Sequence, residues 1–189
     1  MSQLIEEAIS MNNWDEARKL IEKGLEGDPE NHWYITRLSL TYYEQFDYAR
    51  SLDLTTRALE LAPNCPLVLW DHAGSLDMLD RPKEAIKIYN RILDRSLDSL
   101  AYDECGEGMA RARGFKADSL YRIGLCHFYL GSIETAICFL VDHLAARGPG
   151  CQSIYPIAEV RRKLKKFKAS SHPSNAQPES GLASPLNRP

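Results

Sequence analysis

One constant spacing of small residues recurs along this chain and constrains its fold more than any other feature of the sequence. Ala17, Ser51 and Ala85 follow one another at intervals of 34 residues, and Pro63 follows Pro29 at the same interval. Each small residue has apolar neighbours three and four positions away, the spacing of one face of an α-helix. The period is about 34 residues, and a unit of this length cannot bury its apolar face without stacking on its neighbours. The sequence therefore predicts a row of similar helix pairs around one continuous core.

The stretch 33–63 gives the most detailed prediction of such a pair. Its first helix carries apolar and small residues on one face, namely Ile35, Leu38, Ser39 and Tyr42. Asp47 then lies where a side chain can accept a free backbone N–H at the start of the second helix. The second helix carries Ser51, Leu54, Ala58 and Leu61 and is expected to end at Pro63. Small residues between large ones allow two such helices to approach closely.

An insertion interrupts the period after the third unit. The next matching small residue is Ala136, which follows Ala85 by one and a half periods instead of one. Three glycines punctuate the intervening stretch 97–116, which is therefore predicted to contain the inserted half-period. The predicted repeats span about residues 2–31, 32–65, 66–96 and 117–149.

This pattern resembles the tetratricopeptide repeat (TPR), in which Trp, Leu, Gly and Tyr positions precede an Ala, an aromatic residue and a Pro. The resemblance covers roughly residues 2–149 and is carried by Trp33, Tyr42, Ser51 and Pro63, and again by Gly124 and Ala136. It implies an all-α, right-handed superhelical solenoid of about four helix pairs. In that family the first helices of successive pairs line a concave surface on which peptides bind.

The C-terminal part of the chain differs in charge from the rest. Residues 1–156 hold 16 basic and 24 acidic residues, whereas residues 157–189 hold 7 and 2. Within residues 157–168, apolar residues recur on one side of a predicted helix, as expected of the capping helix that a solenoid needs. Its basic face is interpreted as a solvated surface, with attraction to nucleic acid or an anionic membrane as the alternative. Residues 169–189 are rich in Ser and Pro and are predicted to be disordered.

Composition favours a reduced, cytoplasmic protein without a cofactor. No apolar run reaches the roughly 18 residues of a membrane span, and the N-terminus lacks the pattern of a signal peptide. The five cysteines form no C-x-x-C pair, and we predict that they are free and mostly buried. Asp103, Glu104, Cys105 and Glu107 form an acidic cluster beside a thiol, which a metal or redox site or a solvated loop could explain. We favour the loop, because neighbours in sequence point in different directions, and predict no metal and no cofactor.

The predicted functional surface is the concave groove. In the second, third and fourth repeats, the first helix carries large aromatic residues and arginines at its groove-facing positions. Such residues are common at binding hot spots. The candidate peptide-contacting residues are Trp33, Arg37, Tyr43, Trp70, Asp71, Tyr121, Arg122, Leu125 and Phe128. Packing between adjacent repeats is the alternative explanation for some of them.

The chain is accordingly predicted to be a non-enzymatic adaptor that binds a segment of an unidentified protein, with self-association possible. No motif of phosphate binding, metalloprotease or serine hydrolase chemistry is present, and a small-molecule substrate is not expected. Chaperone adaptors of the TPR family clamp a C-terminal carboxylate with Lys, Asn and Arg, but only Arg122 matches in type. A chaperone-like TPR protein of a secretion system is a further alternative, while nucleic acid and membrane are not predicted as partners.

Overall fold

A computed structural model describes residues 1–171 of the chain, and in that range every regular element is an α-helix. The ten helices are α1 Ser2–Ser10, α2 Trp14–Gly27, α3 His32–Tyr43, α4 Tyr48–Leu61, α5 Pro66–Met78, α6 Pro82–Leu93, α7 Leu97–Tyr102, α8 Met109–Tyr129, α9 Ile133–Ala146 and α10 Ile157–Ser171. The predicted all-α helical-repeat solenoid is confirmed. None of these ten helices is both long enough and apolar enough to cross a membrane.

Helices pair in chain order and stack side by side. α1 packs on α2, α3 on α4, α5 on α6 and α8 on α9, and the second helix of each pair contacts the first helix of the next. The first helices also touch one another, α3 with α5 and α5 with α8, so these three form one wall of the molecule. That wall carries the groove-facing positions predicted from the sequence.

Local sequence signals define where the helices start. The Asn13 side chain accepts the backbone N–H of Glu16 at 3.4 Å, and Asp47 accepts that of Arg50 at 3.2 Å. Such bonds satisfy N–H groups that have no partner within the first turn of a helix. Ser132 precedes α9 as predicted, but its side chain makes no capping hydrogen bond.

Small residues at the recurring positions allow close helix contacts. A Cβ on Gly124 of α8 would lie 3.2 Å from the Ala136 carbonyl oxygen of α9. Between the second and third pairs, the hydroxyls of Ser51 and Ser75 are 2.8 Å apart and hydrogen-bonded in the core. The recurring small residues therefore set the distance between neighbouring helices.

The predicted insertion is largely helical. Its first part forms the short helix α7, which packs on α8 and buries Leu100 and Ala101. Its last part, residues 109–116, forms the beginning of α8, which is consequently 21 residues long. Only residues 103–108 form an irregular turn, in which Gly106 donates its N–H to the Asp103 carbonyl at 2.8 Å.

After α9 the chain folds back before the last helix begins. Residues 149–156, which we call the strap, run without regular structure from the end of α9 to α10. α10 packs on α9, with Val160 and Phe167 buried. The tail 169–189 was predicted to be disordered, but residues 169–171 form the end of α10. The remaining residues of that tail lie outside the described part of the chain.

Candidate functional site

A cavity of about 390 Å³ lies on the wall formed by the first helices. α3 and α5 supply most of its lining, and the turn before α4, the helices α4, α6 and α8, and the strap complete it. The lining residues are Ser39, Leu40, Tyr43, Glu44, Phe46, Tyr48, Ser51, Trp70, Asp71, Gly74, Met78, Tyr89, Arg122, Ile154 and Tyr155. Aromatic rings therefore surround a space whose volume is within the range of about 300–1,000 Å³ that is common for binding pockets.

Several buried polar atoms in the lining have no hydrogen-bond partner within residues 1–171. They are the Ser39 and Tyr89 hydroxyls, Asp71 Oδ2 and Arg122 Nε. Leaving a buried polar group unpaired costs about 1–3 kcal/mol, so most proteins avoid it. These atoms have almost no solvent-accessible surface, so a polar ligand in the cavity would reach them only after the side chains rotate.

Asp71 is the titratable group most affected by this environment. Burial of its carboxyl raises its pKa to about 7. The positive charges of Arg37 and Arg111 act in the opposite direction, while Glu107 and Glu44 add to the increase. The raised pKa favours the neutral form of Asp71, and a bound cation or N–H donor would favour its charged form.

The strap packs on α8 beside the cavity through hydrogen bonds of its backbone. The Gln152 N–H donates to the Ala110 carbonyl at 3.1 Å, and the Ile154 N–H donates to Asp118 Oδ2 at 3.1 Å. Gly114 lies between these two contacts, where a Cβ would come within 2.2 Å of the Gln152 carbonyl oxygen. One face of α8 is thus shaped to accept a stretch of this chain's own backbone.

Aromatic stacking holds the end of the strap on α8, beside a buried ion pair between α5 and α8. The rings of Tyr155 and Tyr121 stack with their centroids 3.9 Å apart, and burial raises the pKa of both phenols. Arg122 is only 7% exposed, and its Nη2 donates to Asp77 Oδ2 at 2.6 Å. The charge of Arg122 is therefore neutralised within the protein, which leaves Asp71 and Glu44 as the acidic groups of the cavity.

Solved structures with this arrangement of helices are TPR proteins. The first TPR of Spaghetti (RPAP3), bound to the HSP90 peptide SRMEEVD, superposes with a TM-score of 0.55 at 17% identity, over 76% of this chain and 95% of that one. The Sgt2 TPR domain from Aspergillus fumigatus gives 0.54 at 16% identity, over 81% and 90%. This chain has the TPR fold.

The likeness extends to two other TPR proteins. PilW, a type IV pilus biogenesis factor, superposes with a TM-score of 0.68 at 19% identity, over 89% of this chain and 67% of PilW. MamA gives a TM-score of 0.58 at 18% identity, over 86% and 89% of the two chains. No model of a known protein family matches the sequence. At these identities the likeness describes the TPR fold and leaves the ligand to be inferred from the site.

The nine predicted groove residues fall into three groups, of which the first lines the cavity and the second lies elsewhere on α3. Tyr43, Trp70, Asp71 and Arg122 line the cavity. Trp33 and Arg37 lie elsewhere on α3, where the guanidinium of Arg37 is 5.6 Å from the Trp33 ring centroid and 3.0 Å from Glu6 Oε1. Their contribution to a peptide site stays a prediction.

The exposure predicted for the α8 residues is wrong. Tyr121 and Leu125 are 1% and 5% exposed, because the strap and α10 cover this part of the TPR wall. Phe128 stacks on Phe167 of α10, with ring centroids 3.9 Å apart. Packing beneath the strap and α10 explains these three side chains, whereas the alternative considered from the sequence was packing between adjacent repeats.

Sequence reasoning missed the strap's Ile154 and Tyr155 as part of the cavity, together with the buried Tyr89. No helical periodicity marks residues 149–156, but Pro149, Gly150 and Pro156 bracket them and indicate an extended segment. Tyr89 occupies a recurring core position, so the sequence gives no sign that this residue borders a cavity.

Proposed function

We propose that this protein binds an extended segment of a partner protein in the cavity between α3, α5 and the strap. The observation that carries the proposal is the aromatic cavity, whose lining residues hold four buried polar atoms without partners within residues 1–171. A peptide backbone offers both N–H donors and carbonyl acceptors, which match Asp71 Oδ2 and the Arg122 Nε–H. Tyr43 and Trp70 offer apolar surface for an anchoring side chain.

The strap supports an extended ligand. It lies on α8 through backbone N–H groups that bond to Ala110 and Asp118, and its Ile154 and Tyr155 border the cavity. A partner segment on α3 and α5 would continue the same mode of binding on the neighbouring helices. The RPAP3 structure, solved with a bound HSP90 peptide, shows that a TPR protein of this fold can hold a peptide.

The charges of the cavity favour a ligand that donates hydrogen bonds. The sequence suggested an acidic or carbonyl-rich segment held by Arg37 and Arg122. Both guanidinium groups have carboxylate partners within the chain, Glu6 and Asp77 respectively. Because Asp71 remains without a partner at Oδ2, we propose a segment that presents a Lys or Arg side chain or backbone N–H groups to it.

Gly74 of α5 offers a direct test. Its Cβ position lies 3.7 Å from the Tyr43 ring, an ordinary contact distance, so a side chain can be added there. We would select binders for the wild-type protein from a random-peptide library and measure their affinity by fluorescence anisotropy. Gly74→Phe fills the cavity and should weaken binding at least about tenfold, since truncation or blockage of a hot spot costs about 2 kcal/mol.

Two variants control for unrelated effects of the substitution. Gly74→Ala keeps the cavity open and should retain binding. Gly27→Phe adds the same side chain at the end of α2, where nothing lies within 4 Å of the Cβ position, and should also retain binding. Peptides that bind Gly74→Phe as tightly as the wild type would contradict the proposal, and so would a selection that yields no binder.

The basic helix α10 supports a second candidate function, the binding of a polyanion. Arg161, Arg162, Lys165, Lys166 and Lys168 are on its outer side while Val160 and Phe167 face the protein. Replacement of Arg161, Arg162, Lys165 and Lys166 by Gln should abolish salt-dependent binding to a nucleic acid duplex. Unchanged binding in that variant, or none in the wild type, leaves α10 with its packing role alone. The secretion-chaperone alternative gains no specific support and stays a prediction.

A further inference from the structure

Three potential metal ligands from distant parts of the sequence converge at one edge of the TPR wall. His32 is the first residue of α3, Cys65 immediately precedes α5, and Cys105 lies in the turn between α7 and α8. One ligand atom from each of the three lies within 4.8 Å of the other two, and His32 Nε2 is 3.1 Å from Cys105 Sγ. We propose that His32, Cys65 and Cys105 bind a zinc ion.

The spacing of the three atoms fits a tetrahedral zinc site. Zinc binds cysteine sulfur at about 2.3 Å and histidine nitrogen at about 2.0–2.1 Å, which places adjacent ligand atoms about 3.5–3.8 Å apart. Separations up to 4.8 Å require only small side-chain rotations to close around an ion. Two sulfurs and one imidazole favour zinc over magnesium or calcium, which prefer oxygen ligands. A water molecule can complete the four-coordinate site.

The backbone presents Cys105 to the other two residues. Cys105 has φ of +68°, a left-handed conformation that few residues other than glycine adopt. The turn is held on both sides, because the Gly106 N–H donates to the Asp103 carbonyl and the Gly108 N–H to the Ala101 carbonyl at 3.1 Å. Cys65 is 4% exposed and Cys105 only partly exposed, so the sulfurs are shielded from bulk water on several sides.

A zinc ion at this position would connect the three helices of the wall. Its ligands belong to the start of α3, the start of α5 and the turn that precedes α8. Metal binding would therefore fix the turn 103–108 onto the second and third helix pairs. The expected consequence is a more stable protein whose wall keeps a fixed helix spacing, since an ion bound only by the folded state stabilises that state.

The test uses the full-length protein, reduced, freed of metal with a chelator and titrated with Zn²⁺ against a chromogenic chelator. We expect one Zn²⁺ per chain, a higher melting temperature with zinc, and a sulfur-to-metal charge-transfer band when Co²⁺ replaces zinc. Cys105→Ser and His32→Gln should each weaken zinc binding at least about tenfold, since each removes one of three protein ligands. Circular dichroism of each variant checks that its helices remain folded.

Cys138→Ser is the matched control, because Cys138 is an exposed cysteine on α9 away from the cluster. It should bind zinc as the wild type does and give the same cobalt band. Two results would overturn the proposal: no zinc uptake by the reduced wild-type protein, or equal uptake by wild type, Cys105→Ser and His32→Gln. A Cys65–Cys105 disulfide that persists in reductant and blocks zinc would also overturn it, in favour of a covalent link.

Discussion

The wall formed by the first helices has two halves, α8 on one side and α3 with α5 on the other, and similar residues have different environments in them. On α8, the Ala110 carbonyl, Asp118 and Tyr121 all have partners in the strap or α10. On α3 and α5, Ser39 and Asp71 each leave a buried oxygen without one. Aromatic residues at groove positions therefore indicate a covered surface in one half and an open cavity in the other. The deciding factor is whether a later segment of the chain packs over them.

The largest expected effect comes from the covered half. Tyr121→Ala removes a ring that is 1% exposed and stacked on Tyr155. The loss of a buried aromatic side chain costs about 3–5 kcal/mol in the free energy of unfolding, measured by urea denaturation. Tyr102→Ala is the matched control, because Tyr102 is 69% exposed on α7, and we expect a change within about 0.5 kcal/mol. Similar stability of the two variants would mean that the strap does not cover α8 in solution.

Replacement of a glycine by alanine should change the free energy of unfolding in opposite directions in the two halves. Gly114→Ala on α8 places a Cβ 2.2 Å from the Gln152 carbonyl and must displace the strap, at a cost of about 1–3 kcal/mol. Gly74→Ala on α5 meets only the Tyr43 ring at 3.7 Å and should stabilise its helix by about 0.5–1 kcal/mol.

Limited proteolysis adds a readout specific to the strap. Gly114→Ala should increase cleavage within residues 149–156, whereas Gly74→Ala should leave that cleavage unchanged. Effects of the same sign and size at both glycines would remove the distinction between the covered and open halves.

Local features were predictable because local physics determines them. Asn13 and Asp47 cap α2 and α4 as the sequence indicates, since a capping bond joins residues only three apart. The recurrence of Ala17, Ser51 and Ala85 indicates the stacking of helix pairs, and all three are buried against their neighbours. The handedness of the superhelix and the repeat boundaries stay predictions.

The strap and the ligand cluster were not predictable in the same way. The bond between Ile154 and Asp118 joins residues 36 apart, and nothing in either segment alone requires it. His32 and Cys65 are separated by nearly one repeat period, so stacking brings them to the same edge. A search that compares equivalent positions in successive repeats could have found that pair, whereas the position of Cys105 depends on the fold of the insertion.

The pH dependence of stability tests the open half through the carboxyl group of Asp71. Burial raises the pKa of Asp71 from 3.8 to about 7, so the folded state binds an additional proton between these values. The contribution of the Asp71 carboxyl to the free energy of unfolding is fully present below about pH 4. It is lost as the pH rises through 7. Asp71→Asn cannot ionise, so it should match the wild type closely in unfolding free energy near pH 4 and exceed it at pH 8, where the buried carboxyl of the wild type is ionised. Urea denaturation at both pH values measures the difference, and a peptide that donates hydrogen bonds to Asp71 should bind the wild type more tightly at pH 8 than at pH 6. If Asp71→Asn is the less stable protein at pH 8, the carboxylate already has a partner and the cavity is not open at this position.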